Sequence, residues 1–214
     1  MLRRARLAAL VLLCVPAFAA AVESCPDCVL GLYDDTSLSS NFGVSVPLTM
    51  KDIYLAIDLA APETGVTGIE FSIAGITGTP LLVLGVTPLV PTPVTLGSPP
   101  APADTSATST GTGGMDIAWQ VCQTGDRALV KLTVFHINPV VNQVLRVMHK
   151  FPQSNTDYRL HPVFTRCDSP TYTSVRINGG CYVLNPNGEP TPSCPVGTVA
   201  VNSSTWSSVK QLFR

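Results

Sequence analysis

Cysteine carries most of the reactive chemistry in this chain, at Cys25, Cys28, Cys122, Cys167, Cys181 and Cys194, with a seventh, Cys14, in an apolar N-terminal run. A thiol acts as a redox nucleophile, a metal ligand or half of a disulfide, and context separates the three. Cys25-Pro26-Asp27-Cys28 has the spelling of a redox pair. Such a pair opens a helix, whereas the strand-like run Val29-Leu30-Gly31-Leu32-Tyr33 follows here. A zinc site needs a second close pair, and Cys167, Cys181 and Cys194 are scattered. Disulfides remain, up to three. The expected pairing links Cys122 with Cys167 across the core and Cys181 with Cys194 around a Pro/Asn/Gly-rich hairpin. Cys25 pairs either with Cys28 or with the C-terminal cysteines.

The acids and histidines offer less. Asp34 and Asp35 are neighbours on an extended chain, so their side chains point to opposite faces and cannot form a facing acid/base pair. They are weak calcium candidates and otherwise turn formers. His136 and His149 lie at the ends of adjacent strands and can approach each other, but a metal site needs His161 on the same surface with an open coordination position, and all three are expected to be solvated edge residues. No Gly-x-Ser-x-Gly elbow, His-Glu-x-x-His or phosphate-cradling loop occurs. Among the aromatics, Trp119 falls on the inward phase of its strand. Tyr54 falls on the outward phase, where a ring can stack on the C–H face of a sugar.

The elements that position these residues are strands. Ile53, Leu55, Ile57 and Leu59 alternate with Asp52, Tyr54, Ala56 and Asp58, and Ile69, Phe71 and Ile73 alternate with Glu70, Ser72 and Ala74. Leu81 to Val86 is continuously apolar and reads as buried on both faces. Asp116 to Cys122 sends Ile117, Trp119 and Val121 inward, and Ala128 to Ile137 and Val144 to His149 follow. Thr171 to Ile177 and Cys181 to Leu184 read as a hairpin about Asn178-Gly179-Gly180. Seven to nine strands without a long amphipathic helix predict an all-β, two-sheet antiparallel sandwich of jelly-roll or Ig-like type, with a closed barrel second. Residues 90–114, rich in Pro, Thr and Gly, read as a long flexible loop. In 201–214, Trp206, Val209, Leu212 and Phe213 share one face of a short amphipathic helix, a docking tail.

Compartment follows from the first residues. Arg3, Arg4 and Arg6 precede the apolar run Leu7–Val15 and small residues to Ala21, the layout of a secretory signal peptide over 1–21. A single domain then spans 22–200, secreted or periplasmic. Of 13 Lys+Arg and 14 Asp+Glu, the leader removes three Arg and no acid, so the mature chain is net −4. That balance argues against nucleic acid, which needs a clustered cationic surface. No later apolar run is long enough to span a membrane.

The runs Ile53-Tyr54-Leu55-Ala56-Ile57, Gly65-Val66-Thr67-Gly68-Ile69-Glu70-Phe71-Ser72-Ile73 and Leu81-Leu82-Val83-Leu84 resemble the early strands of cohesin-like and carbohydrate-binding-module-like sandwiches of secreted bacterial proteins. The Cys122-Gln123 and Cys167-Asp168 strands and the Trp-containing C-terminus also look like single-domain secreted bacterial proteins. The resemblance implies a jelly-roll-like sandwich and a non-catalytic binding or scaffolding role. The expectation is an interaction or structural module of the bacterial exterior, not an enzyme and without cofactor, binding an extracellular protein. The alternatives are a glycan-binding module and a secreted hydrolase. The hydrolase would need Asp52, Asp58 or Asp116 to converge with a histidine in a pocket.

Overall fold

The computed structural model describes residues 23–106, 109–152, 161–168 and 170–187. These form twelve strands and, among the described residues, no helix. In chain order they are β1 (Glu23–Tyr33), β2 (Phe42–Gly43), β3 (Met50–Asp58), β4 (Gly65–Ala74), β5 (Leu81–Pro88) and β6 (Pro93–Ser98). There follow β7 (Gly114–Thr124), β8 (Arg127–His136), β9 (Gln143–Met148), β10 (Val163–Arg166), β11 (Ser174–Gly179) and β12 (Cys181–Leu184). The signal peptide, Cys194 and the docking tail Trp206, Val209, Leu212 and Phe213 lie outside the described residues.

The hydrogen-bonded order is β2-β12-β9-β4-β10-β11-β1-β3-β8-β5, with β7 on β4 and β6 on β7. β4 joins the two halves of this order: residues 65–71 pair with β7, and Ser72, Ile73 and Ala74 go on to pair with β9. The alternation read from the sequence fills the core, with Ile53, Leu55, Ile57, Ile69, Phe71 and Ile73 almost wholly excluded from solvent. Burial of this kind is the main favourable term in folding.

Several expectations are corrected. The sheet is mixed, not antiparallel: β1 pairs parallel with β11, and β2 with β12. Parallel partners lie far apart in sequence and leave no local turn signature. β11 and β12 do not form a hairpin, because β11 pairs with β1 and β10 while β12 pairs with β9 and β2. Gly180 is a crossing point, donating to the Leu30 carbonyl and accepting from the Val147 N–H, each at 2.9 Å. A Cβ at Gly179 would stand 2.0 Å from the Val147 carbonyl oxygen. These glycines serve close backbone approach rather than a turn.

The 90–114 segment is not loop throughout, since β6 pairs with β7 from Pro93 opposite Trp119 to Ser98 opposite Gly114. β5 is not buried on both faces. It pairs only with β8, and Leu82 and Leu84 are about half exposed, at 49% and 51%. Val121 points to solvent while Trp119 and Gln123 are buried, because the β4–β7 register slips between Val66 and Gly68.

Two disulfides are described: the expected Cys122–Cys167 and, of the pairings left open for Cys25, the one with Cys28. Cys122–Cys167 joins β7 to the residue after β10, with Cα atoms 5.7 Å apart. Cys25–Cys28 closes the Cys-Pro-Asp-Cys ring within β1. There the register against β11 shifts between Cys25 and Val29, so the ring is a bulge, and the Asn178 side-chain amide donates to the Pro26 carbonyl to hold it. Cys181 is also disulfide-bonded.

Candidate functional site

β1, β3, β8 and β5 lie side by side, and every second residue faces away from the core. Register places Tyr33, Tyr54, Lys131 and Thr87 in one outward row. Asp52, Thr133 and Gly85 make the next, and Met50, Phe135 and Leu82 the third. Two chemically distinct halves result.

The polar half is organised around Asp52. Its Oδ1 accepts from the Thr133 hydroxyl at 2.7 Å and its Oδ2 meets Lys131 Nζ at 3.1 Å. The Thr133 hydroxyl first, then Lys131, hold this carboxyl below the usual range. Tyr54 sits between Tyr33 and Lys131, half-buried rather than projecting. The Tyr33 phenol is pushed up by burial, then by the nearby Asp58 and Asp126 carboxylates.

The apolar half is at the other end of the strands. Met50 is 70% exposed, beside the half-buried Phe135 and Leu82. The β5 register slips at Leu84, which the bulge leaves outside the pairing and in solvent. Leu48, whose N–H donates to the His136 carbonyl at 2.9 Å, and Ile137 are exposed at the same end. Exposed large apolar side chains are thus collected beside a polar half of the same sheet face. The sequence reading missed this cluster because Leu82 and Leu84 sit in an unbroken apolar run. The usable signal was the alternation Val44, Val46, Leu48, Met50, a strand-like period on an exposed segment.

The remaining expected site residues are placed elsewhere. Asp34 Oδ1 takes the hydroxyl of the fully buried Tyr182 and an ion pair from Lys51 at 2.6 Å. Burial, then Asp34, raise the Tyr182 phenol. Asp35 accepts the hydroxyls and backbone N–H groups of Ser37 and Ser39, and those hydroxyls lower its pKa to about 2. Asp35 holds a turn and Asp34 joins distant parts of the chain, and among the described residues no three His, Cys, Asp or Glu gather as a metal-holding group. Trp119 is core, at 5% exposure.

His136 and His149 are buried rather than solvated. The His136 ring is held by Asn138 O at 2.8 Å and Ser45 Oγ at 3.1 Å. Asp116 is ion-paired with Lys150, and Asp58 is raised by burial and by Asp126. The structure thus ties Asp52 and Asp116 to lysines, a structural use of carboxylates.

No family model and no curated protein matches this chain. Similar solved structures are cohesin modules, the family that the early strands resemble. One is the cohesin module of a Clostridium perfringens family 33 glycoside hydrolase, at 10% identity and TM-score 0.43, covering 74% of this chain and 98% of that one. Another is the seventh ScaB type I cohesin of Pseudobacteroides cellulosolvens, at 9% identity and TM-score 0.45, covering 78% and 98%. A third is a Clostridium thermocellum cohesin–dockerin complex, at 10% identity and TM-score 0.44, covering 78% and 97%.

Proposed function

We propose that this chain is a non-catalytic interaction module of the bacterial exterior whose partner is a protein that docks on the outer face of β3, β8 and β5. In this reading the strands form a two-sheet sandwich, and β4 and the Gly179-Gly180 step carry the chain between the sheets. The observation that carries it is the exposed apolar cluster of Leu48, Met50, Leu82 and Leu84 around the half-buried Phe135, bordered by Asp52, Lys131 and Thr133. Apolar anchors dock and exclude water, while the hydrogen-bonded polar border sets orientation. Export after removal of residues 1–21 is part of the proposal, and it is supported by disulfides that persist in oxidising compartments.

The test is binding of the oxidised mature protein to cell envelopes of the source organism, untreated and protease-treated, compared with Met50→Glu and Leu82→Glu. The reading expects binding that protease abolishes and that each variant weakens at least tenfold. Binding that survives protease and both variants would overturn it.

A further inference from the structure

Among the described residues the strand order ends in three free edges, β2, β5 and β6, each hydrogen-bonded to one neighbour. A free edge presents a row of backbone N–H and C=O groups, and proteins blunt such rows by shortness, charge, proline or a bulge. β2 is two residues long. β5 is interrupted at Leu84, where its register against β8 slips. β6 has none of these devices over residues 94–98. Its pairing to β7 runs without a break, it carries no charge, and its proline, Pro93, is the first residue and leaves the others able to donate. We propose that β6 is a dimerisation edge, on which β6 of a second copy of this chain pairs antiparallel about a twofold axis through Thr95.

Three observations select a second copy. The first is the symmetry of the side chains. Trp119 and Ile117, opposite Pro93 and Thr95, are buried, whereas Val94 and Leu96 face outward beside Ala118 and Asp116. Val94 and Leu96 are 59% and 64% exposed. Antiparallel pairing about Thr95 sets Val94 opposite the partner's Leu96, Leu96 opposite the partner's Val94, and Thr95 opposite the partner's Thr95. Each is a favourable cross-strand pair, and the apolar side chains left in water on one copy cover those of the other.

The second is charge. Like charges directly opposite one another work against strand pairing. β6 meets its twin with no charge at any of its 6 residues, and the outward acid beside it, Asp116, is ion-paired with Lys150. The third is that the edge is held in place as a template. Beyond Ser98 the chain is fixed to β4, with Ile73 N–H donating to the Pro99 carbonyl at 2.7 Å and Ala101 N–H donating to the Ile73 carbonyl at 2.9 Å. A strand already ordered loses little entropy when it pairs.

The contact is isologous, so it closes at two copies. It uses none of the residues of the apolar cluster on β3, β8 and β5, and the dimer therefore carries that cluster twice. Two linked copies bind a surface that displays many partners by avidity, without any new contact.

The experiment is sedimentation velocity of the oxidised mature protein over a concentration series from micromolar to millimolar, beside the double variant Val94→Lys, Leu96→Lys. The parent should show a monomer–dimer equilibrium. The double variant should raise its dissociation constant at least tenfold and keep the parent's urea midpoint, because both side chains face solvent. Thr95→Cys reads the register. Directly opposed residues of antiparallel strands have Cα atoms about 4.5–5.5 Å apart, within disulfide range, so oxidation should link two Thr95→Cys chains through residue 95 on a non-reducing gel. Ser98→Cys, away from the axis, should stay unlinked. A monomer at every concentration would assign the edge to a strand of another protein and overturn the proposal. A dimer that the double variant leaves unchanged, or open-ended polymers of the kind that β6 on β5 would build, would overturn it too.

Discussion

Glu63 shows how one buried carboxylate organises its surroundings. Its side chain is only 5% exposed and receives Arg166 through Nε, at 2.7 Å, and through Nη2. The same guanidinium reaches Glu23 at 2.6 Å, which ties the start of β1 and the β3–β4 turn to β10. Removing one partner of such a pair leaves a desolvated charge uncompensated. Glu63→Ala should therefore cost about 2 kcal/mol, read as a lower urea midpoint, given the strength of charge-assisted bonds. Asp35 makes a pH prediction. Its folded pKa of about 2 is below the ordinary 3.8, so its contribution to stability is present above about pH 4 and is lost as pH falls through 2. Asp35→Ala should remove that part of the acid-induced fall in the urea midpoint and leave the neutral-pH side of the profile parallel to the parent.

At the scale of the elements, glycines decide where strands change partners. Gly179 is pressed against β9 so closely that any side chain meets the Val147 carbonyl. Gly179→Ala should cost about 3 kcal/mol, within the range for overpacking, measured by thermal or urea unfolding. The edge strand β5 makes the opposite prediction. Leu82 and Leu84 are solvent-facing, so Leu82→Glu should change stability by less than about 0.5 kcal/mol, as surface substitutions do, while docking is lost. A large loss of stability on that substitution would show the side chain to be core. The alternation of β3, β4 and β8 was legible in the sequence because one face of each is buried and the period is two. β6 was not, since its Pro, Thr, Gly and Ser mask a strand defined mainly by backbone pairing to β7.

For the whole molecule, the Cys122–Cys167 disulfide is the main covalent constraint among the described residues. It spans a sequence separation of 45 residues, and chain-entropy arguments give a loop of that length about 4 kcal/mol. Cys122→Ser with Cys167→Ser should lower the urea midpoint accordingly and leave the strand spectrum native. Gly65 lies against this bridge, 2.5 Å from Cys122 Sγ for any added Cβ, so the glycine and the disulfide are one packing unit.

The amino-acid order by itself determined the strand class, the inward faces of most strands and the burial of Trp119. Each rests on local periodicity or on residue chemistry that acts before the chain folds. The Cys122–Cys167 pairing, 45 residues apart, depends instead on β7 and β10 flanking β4. Only the tertiary structure decided that β1 runs parallel to β11, that Gly179-Gly180 crosses between strands rather than turning a hairpin, and that β5 lies at an edge. Those outcomes depend on which distant strand arrives as a neighbour. The same is true of the apolar cluster, in which Met50, Phe135 and Leu82 share no motif and are brought together by the register of β3, β8 and β5.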